Sequence, residues 1–469
     1  MICGVRHAQY NGLAGSTQNR HGFGTGLNLK KKKFYRSQDI KPNPKNILTA
    51  VAAAENGEIF DLEGYGAAGM SGDMPFILKK EETLSMPHGS ELMMLPHRRP
   101  LVYNRARDEF EILEKNPFAP KEKIFPVAVF NSPGYVNRHF CAYDDKGAKD
   151  PLPLFSYGAV GYAKDGFRSS AILVDAEPRQ DLRLMPQKKI LNGVNEMQKK
   201  YPNNKLMRHL ESCALKYGCP AGKNFFLKRY EAPLPTSRVC NADCLGCISL
   251  QTTGNLSACQ ERISFTPTSE EIAELSLEHI SHVDKAIVSF GQGCEGDPLM
   301  AFSAIEPAIR LIREKTDKGT INLNTNAGLP DKVKALCRAG LDSMRVSMNS
   351  VRENCYTAYF RPRSYTFSDV LESIKIAKGL GKFVSINYLN CPGFTDSEKE
   401  AAAFLEFAGA TGIDMIQWRN LNFDPNLYFR LMKDIEDPGR PLGMGEVIQR
   451  LSEHFPKLIH GYFNPPKKR

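Results

Sequence analysis

From Pro233 onward, the sequence alternates between short apolar segments typical of strands and longer amphipathic segments typical of helices. The candidate strands are 234–239, 285–290, 320–324, 342–347, 382–388 and 413–418, and the candidate helices are 268–282, 300–315, 331–339, 366–379 and 396–410. This alternation predicts an α/β fold of parallel βα units, because parallel neighbours need a crossover connection. Six strands form an open partial barrel or a doubly wound sheet, and in both the chemistry lies at the C-terminal ends of the strands.

The remainder of the chain has a different pattern of apolar and polar residues. Residues 47–190 contain short apolar runs separated by Gly, Pro, Asp and Asn, which predicts a β-rich accessory domain at the N-terminal side. Residues 191–232 are expected to form a helical connector to a core at 233–425. Residues 426–469 are expected to be a C-terminal extension that ends in a loose tail.

Much of the net charge of +10 lies in residues 1–46, where nine lysines and arginines accompany the single acid Asp39. A basic arm of this kind can bind nucleic acid through phosphate contacts. Aromatic residues are sparse among these charges, which favours a solvated, flexible tail instead.

The apolar runs of the sequence are too short to span a bilayer, and residues 1–7 lack the apolar core of a secretory signal. Three of the 12 cysteines fall within eight residues. Long cytosolic chains seldom use cysteine for disulfides, so such a cluster indicates a metal site or catalysis. We therefore expect a cytoplasmic protein with no membrane partner.

The clustered cysteines are Cys240, Cys244 and Cys247, spaced C-x3-C-x2-C in the loop after the first candidate strand. Soft thiolates favour iron–sulfur clusters or zinc. A [4Fe–4S] cluster usually takes four thiolates, so a loop supplying three leaves one iron open to a ligand that is not protein. Zinc would need a fourth ligand, and the nearest downstream histidines, His279 and His282, fall on a predicted helix.

The spacing of these cysteines resembles the signature of the radical S-adenosylmethionine (SAM) superfamily. The resemblance implies a partial (βα)6 TIM-like barrel that carries a [4Fe–4S] cluster, with SAM chelated at the open iron. In that family an external flavodoxin- or ferredoxin-like donor supplies an electron, SAM is cleaved, and the resulting 5′-deoxyadenosyl radical abstracts hydrogen from a substrate. Many members carry an aromatic residue just before the third cysteine, where this chain has Gly246.

A glycine-rich loop follows the second candidate strand, and glycines there let a ligand approach the backbone closely. This segment resembles the Gly-Gly-Glu-Pro motif of the family, with Asp297 in place of the usual Glu, and the resemblance implies that it binds the ammonium group of SAM. A tight turn capped by acids is the structural alternative. The candidate SAM-binding residues of the loop are Gly291, Gly293, Glu295, Gly296 and Asp297.

Polar residues recur at the ends of the later candidate strands. They are Asn324 and Asn326, which resemble part of the family's Thr-Asn-Gly segment, then Ser347, Asn387 and Arg419. Amides and hydroxyls suit ribose hydroxyls because they both donate and accept hydrogen bonds. Arg345 and Arg419 are candidates for the SAM carboxylate or for an acidic substrate. For each of these residues a local turn or cap is the alternative.

Two further features stay open at this stage. Cys213 and Cys219 are either packed thiols or ligands of a second metal centre. Cys294 is a packed thiol, a radical relay, or a fourth ligand of the cluster or of a second metal centre. Arg361 and Arg363 form either a basic lip or a solvated loop.

The sequence thus predicts an enzyme that cleaves SAM and abstracts hydrogen from a substrate that it does not identify. A protein or peptide would suit the extra domain, as in protein modification or glycyl-radical activation, and RNA would suit the basic charge. A non-catalytic binding scaffold stabilised by a metal is the hypothesis from another class.

Overall fold

A computed structural model describes residues 46–252 and 256–467 of the chain. The basic segment at 1–45, and with it nearly all of the expected flexible tail, lies outside these described residues. Within them, no helix is both long and apolar enough to cross a membrane.

The N-terminal region is built from antiparallel strands, as the β-rich prediction required. Its strands are β1 (Thr49–Ala54), β2 (Ile59–Gly66), β3 (Ala68–Ser71), β4 (Met74–Ile77), β5 (Leu84–Ser85), β6 (Glu91–Met94), β7 (Arg99–Asn104), β8 (Glu109–Ile112), β9 (Lys115–Asn116), β10 (Ala119–Phe130), β11 (Tyr135–Asn137), β12 (Phe140–Cys141), β13 (Tyr143–Asp144), β14 (Val160–Ala163), β15 (Gly166–Ser169) and β16 (Ala171–Leu173). Small apolar side chains such as Ala52, Ala53 and Ala128 are fully buried, so the strands pack closely.

Three helices follow, namely α1 (Gln187–Lys200), α2 (Lys205–Leu215) and α3 (Pro220–Phe226). The start of α2 is fixed by Asn204, whose side chain accepts a hydrogen bond from the backbone N–H of Met207 at 3.0 Å. Their apolar side chains, including Ile190, Leu210 and Phe225, belong to the same buried cluster as the sheet that comes next. The connector helices are therefore packed onto the core.

The core is a parallel sheet in which strands lie in chain order. It contains β17 (Glu231–Leu234), β18 (Ile287–Phe290), β19 (Thr320–Thr325), β20 (Ser343–Met348), β21 (Phe383–Asn390) and β22 (Met415–Asn420), with α4 (Ser269–His282), α5 (Phe302–Lys315), α6 (Pro330–Ala339), α7 (Glu353–Phe360), α8 (Phe367–Gly379) and α9 (Glu398–Thr411) between them. Strand order and direction are those of an open (βα) barrel, and the predicted fold class is confirmed.

The first strand of this core was predicted at the wrong position. It spans Glu231–Leu234, whereas the apolar pattern predicted a strand over 234–239. β17 is the edge of the sheet, where Pro233 is tolerated because its missing N–H can face away from the ladder. The chain beyond Leu234 instead enters the cysteine loop.

The C-terminal extension contains α10 (Pro425–Ile435), α11 (Met444–His454) and a seventh parallel strand, β23 (Ile459–Gly461), beside β22. The expectation of a loose end is wrong for the described residues. Asn464 is buried and donates to Glu231 Oε1 at the start of β17 (2.7 Å), and the N–H of Lys467 donates to Thr320 Oγ1 at the start of β19 (2.8 Å). The segment therefore covers the N-terminal end of the barrel.

The β-rich region contacts the opposite end. Asn390 and Asn420 are the last residues of β21 and β22. Asn390 Nδ2 donates to the carbonyl of Asn137 (2.8 Å), and Asn420 Nδ2 donates to that of Tyr135 (2.9 Å). The β11 segment thus lies over the C-terminal ends of two barrel strands.

A buried ion pair adds to this interface. Asp424, just beyond β22, pairs with Arg98 of the β-rich region at 3.3 Å, and the hydroxyl of Tyr143 donates to it at 2.8 Å. Arg98 and Asp424 are each at most 5% exposed. Removing either partner by mutation would leave the other as an uncompensated buried charge, so the pair makes this interface sensitive to substitution at Arg98 or Asp424.

Candidate functional site

The cysteine loop after β17 is fixed by backbone hydrogen bonds to the end of α7. The N–H of Asp243 donates to the carbonyl of Phe360 (3.0 Å), and that of Leu245 donates to the carbonyl of Tyr359 (3.1 Å). These two bonds anchor the middle of the cysteine loop to the end of α7.

Arg361 and Arg363 hold the same loop from the segment after α7. Their guanidinium groups lie 3.6 and 3.7 Å from Asp243 Oδ2, and Arg361 Nε donates to the Asp243 carbonyl at 2.5 Å. The N–H of Arg363 also donates to the carbonyl of Asn241 (2.9 Å). The two side chains are 38% and 60% exposed, so the pair is solvated, and it also contacts the cysteine loop through Asp243.

All three thiols of the loop are half-buried. Burial raises the pKa of Cys240 to about 11, and it raises the pKa of Cys244 well above its usual range, with the charges of Cys240 and Cys247 acting in the same direction. Arg262 donates to Cys247 Sγ at 3.5 Å and to Ser249 Oγ at 3.1 Å. Sequence reasoning did not single out Arg262, because this residue stands in a segment with no motif.

The number of ligands in the loop bears on which metal it can hold. The loop supplies three thiols, and a structural zinc ion needs four protein ligands. A [4Fe–4S] cluster held by three thiolates instead leaves one iron open to a ligand that is not protein. His279, considered as a fourth zinc ligand, instead contacts the carbonyl of Tyr230 at 3.2 Å.

The glycine-rich loop after β18 is organised by Glu295, which is 4% exposed. Its Oε1 accepts from the N–H groups of Gly291 (2.8 Å) and Gln292 (2.7 Å). Its Oε2 accepts from the N–H groups of Thr236 (2.7 Å) and Ser237 (2.9 Å) and from the Thr236 hydroxyl (3.1 Å). Burial raises the pKa of Glu295 to about 7, against the opposing effect of these donors. The carboxylate therefore joins its own loop to the segment that leads into the cysteines.

Asp297 has a similar role toward the next strand, β19. Its carboxylate accepts from the Thr325 hydroxyl (2.8 and 2.9 Å) and from the N–H groups of Asn326 (2.7 Å) and Leu299 (3.0 Å). Burial raises its pKa, and these donors oppose the shift. Both candidate acids of the loop thus have protein partners on each oxygen.

Two glycines of the loop have no room for a side chain. At Gly291, φ is +79° and a Cβ would lie 1.7 Å from the carbonyl oxygen of Asn324. At Gly296 a Cβ would lie 1.9 Å from the carbonyl oxygen of Val239. The glycine-rich loop is therefore in direct backbone contact with the cysteine loop, and Gly293 lies between these two points.

The asparagines after β19 also face this loop. Asn324 Nδ2 donates to the carbonyl of Gly291 (2.9 Å), and Asn326 Nδ2 donates to Asn241 Oδ1 in the cysteine loop (2.7 Å). Asn322, which the sequence did not single out, donates to Asn324 Oδ1 (2.8 Å) and to Ser289 Oγ. The ends of β17, β18 and β19 thus form one hydrogen-bonded network.

Polar side chains continue along the inside of the barrel. Gln417 Oε1 accepts from Arg345 (3.1 Å) and from Arg419 (3.2 Å), and Arg419 Nε donates to Asn387 Oδ1 (3.0 Å). Burial first, and then the charge of Arg419, lowers the pKa of Arg345 to about 9. On β20, Ser347 follows two residues later on the same face as Arg345. A barrel interior is normally filled by branched apolar residues, so this polar lining indicates a ligand.

Residues 234–405 match the family model of the Radical SAM superfamily. The chain contains a radical SAM domain. This match confirms the family that the cysteine spacing predicted, and it begins at the last residue of β17. The comparison with curated proteins found no match.

Several solved structures are similar to the radical SAM domain at low sequence identity. Native anSMEcpe with bound AdoMet is 17% identical over 41% of this chain and 51% of that one, with a TM-score of 0.32. A radical SAM methyltransferase from Sphaerobacter thermophilus is 14% identical over 50% and 66%, with a TM-score of 0.36. SuiB from Streptococcus suis bound to S-adenosylmethionine is 14% identical over 68% and 72%, with a TM-score of 0.35. The chain thus spans about half the length of anSMEcpe.

Within the radical SAM domain, the space beside Gly246 is filled by Tyr359. A Cβ at position 246 would lie 2.6 Å from the Tyr359 hydroxyl oxygen, which accepts a hydrogen bond from the Gly246 N–H. Asn422 Nδ2 donates to the Gly246 carbonyl at 3.0 Å. The aromatic ring next to the third cysteine therefore comes from α7, a contact that the sequence alone does not reveal.

We expect Gly246→Ala to weaken loading of the cluster, because the new methyl group collides with a buried tyrosine at a cost of about 1–3 kcal/mol. Tyr359→Phe removes the hydroxyl oxygen that the new methyl group would meet. The double variant should therefore recover most of the lost cluster loading. Iron and sulfide content and the free energy of unfolding measure this cycle. Additive losses in the double variant would contradict the proposed contact.

We expect Gly296→Ala to prevent cluster assembly in the radical SAM domain, since its Cβ meets the backbone of Val239 beside Cys240. Iron and sulfide content after anaerobic reconstitution is the measurement. Gly379→Ala is the matched control, because a Cβ at Gly379 in α8 meets nothing within 4 Å. Full loading of the Gly296 variant would show that the two loops need not touch.

Proposed function

We propose that this chain is a radical SAM enzyme whose [4Fe–4S] cluster is bound by Cys240, Cys244 and Cys247. When bound, the cluster would take an electron from an external flavodoxin- or ferredoxin-like donor and cleave SAM to a 5′-deoxyadenosyl radical that abstracts hydrogen from a substrate. The observation that carries the proposal is a loop of three half-buried thiols, anchored to the end of α7 and lying at the C-terminal end of a polar-lined barrel.

We assign SAM binding to the two loops and the strand ends that face the thiols. Glu295 and Asp297 are positioning residues, because their carboxylates orient the glycine-rich loop. The backbone of that loop would then contact the ammonium group of SAM. Gly291 and Gly296 shape this loop by packing against the backbone of Asn324 and Val239, so the proposed contact with the ligand falls to the backbone around Gly293. The amides of Asn324 and Asn326 and the hydroxyl of Ser347 supply donors and acceptors of the kind that ribose requires.

The carboxylate of SAM is assigned to the pair Arg345 and Arg419. The two guanidinium groups share the neutral acceptor Gln417, Arg419 also donates to the carbonyl of Tyr462, and the carboxylate of Glu231 is close enough to Arg345 to interact with it electrostatically. Within residues 46–252 and 256–467, Arg345 Nε and Arg419 Nη1 have no hydrogen-bond partner. An anion placed between them would satisfy both. Asn387 contributes by holding Arg419 at 3.0 Å.

The β-rich region is proposed to exclude water and present the substrate. Its β11 segment contacts the ends of β21 and β22, which is where a substrate must approach a radical formed in the barrel. Protein, peptide and RNA substrates, and glycyl-radical activation, are all compatible with this arrangement. A non-catalytic scaffold is the alternative outcome of the first test below.

We expect the reconstituted, reduced protein to form 5′-deoxyadenosine from SAM, and Cys244→Ala to lose both the cluster and this product. Cys337→Ala is the matched control, because Cys337 is a buried thiol on α6 outside the site. Chromatography of the anaerobic reaction measures the product.

An intact cluster with bound SAM but no 5′-deoxyadenosine would favour the scaffold. A protein that takes up neither iron nor sulfide would contradict both the cluster and the activity.

We expect Arg419→Gln to weaken SAM binding by about tenfold, since a charge-assisted hydrogen bond contributes roughly 1.5–3 kcal/mol. Binding of 5′-methylthioadenosine, which lacks the carboxylate, should change little. Equilibrium titration of the cluster-loaded protein measures both ligands, with Arg338→Gln on the exposed face of α6 as control. An equal loss for both ligands would place the arginine elsewhere than at the carboxylate.

A further inference from the structure

A second group of potential metal ligands lies outside the cysteine loop. His209 Nε2 is 3.4 Å from Cys294 Sγ and 3.5 Å from Cys213 Sγ. The ligand atoms of His209, Cys213 and Cys294 all lie within 4.8 Å of one another, and among the described residues no other three His, Cys, Asp or Glu side chains meet that limit. Both thiols are buried, at 3% and 6% exposure.

The ligands come from two places that the fold brings together. His209 and Cys213 are four residues apart on α2 and therefore share one face of that helix. Cys294 belongs to the glycine-rich loop between β18 and α5. This arrangement could not be read from the sequence, because 81 residues separate Cys213 from Cys294.

Cys219 lies next to the group. Its backbone N–H donates to the carbonyl of Cys213 at 2.9 Å, and its thiol is close enough to interact electrostatically with those of Cys213 and Cys294. It precedes α3, which packs against α2. Cys219 is therefore our candidate for the fourth ligand, and its thiol, which lies outside the group of three, would move toward them when a metal binds.

We propose that His209, Cys213, Cys219 and Cys294 bind one zinc ion. Three thiolates and an imidazole form a closed tetrahedral set typical of structural zinc. With Zn–S near 2.3 Å and Zn–N near 2.0 Å, tetrahedral ligand atoms stand roughly 3.5 Å apart, which agrees with the two observed distances. The thiolates of an iron–sulfur cube bind different irons and therefore stand farther apart than the ligands of one zinc ion.

The zinc would join the helical connector to the SAM loop. Cys294 is the residue before Glu295, whose carboxylate bonds to Gly291 and to Ser237 ahead of the cysteine loop. Fixing Cys294 against α2 therefore restricts the loop that we assign to SAM. The role is structural, because a four-ligand site leaves no position for a substrate.

The test is the metal content of the full-length, cluster-loaded protein purified anaerobically. Mass spectrometry of metals should find one zinc per chain in addition to the cluster iron. Cys213→Ser and Cys294→Ser should each lose that zinc, whereas Cys337→Ser, a buried thiol on α6, should keep it. The variant lacking Cys240, Cys244 and Cys247 should lose iron and keep zinc, which separates this proposal from the proposed function.

A measurement without variants covers the case in which a serine variant does not fold. Protein prepared with cobalt(II) in place of zinc should show the d–d absorption of a tetrahedral site together with thiolate-to-metal charge transfer. Absence of zinc after incubation with the metal and removal of excess would overturn the proposal. So would retention of zinc in Cys213→Ser, or a disulfide between Cys213 and Cys294 in freshly isolated protein.

Discussion

The buried carboxylate of Glu295 is the interaction on which the geometry of the site depends. A charge at 4% exposure is costly unless it is well paired, and here two oxygens accept five hydrogen bonds from two different loops. One of those loops leads into the cysteines and the other carries the glycines. Because both carboxylate oxygens bond to donors from the two loops, the carboxylate holds these loops next to each other. Gly296 then lies against the backbone of Val239. The cluster site and the proposed SAM site are therefore one rigid unit.

Much of the fold was predictable because it rests on local pattern. The helix at 268–282 was predicted from Thr268 and the acids that follow, and the structure has the capping box, with Glu271 N–H donating to Thr268 Oγ1 at 3.2 Å. The end of β17 at Leu234 and the docking of β23 were missed for a different reason. A three-residue strand such as Ile459–Gly461 carries almost no periodic signal, and its place is decided by pairing with β22.

The residues of the candidate site also fall into two groups, those that a local pattern predicts and those that only the fold brings together. Thiol spacing marks Cys240, Cys244 and Cys247 because the chemistry requires nearby residues in one loop. Tyr359 and Arg262 cannot be found by such reasoning, since each reaches the loop from a segment without any motif. The sequence does mark Arg361 and Arg363 as a charged pair, but their partner is Asp243, more than 100 residues earlier. Charge patterns along a chain reveal that a basic group exists, while only the fold decides which acid it meets.

The two ends of the barrel are closed by different segments of the chain, and this determines how a substrate can reach the site. The segment after β23 covers the N-terminal end through Asn464 and Lys467, which bond to the first residues of β17 and β19. The β11 segment covers the C-terminal ends of β21 and β22. The cysteine loop follows β17 and reaches the same end of the barrel, where Asn422, two residues beyond β22, donates to the Gly246 carbonyl at 3.0 Å. The cysteine loop and the β11 segment thus both contact residues at or just beyond the end of β22. For the function proposed above, recognition of a substrate at this end of the barrel would involve side chains of both segments.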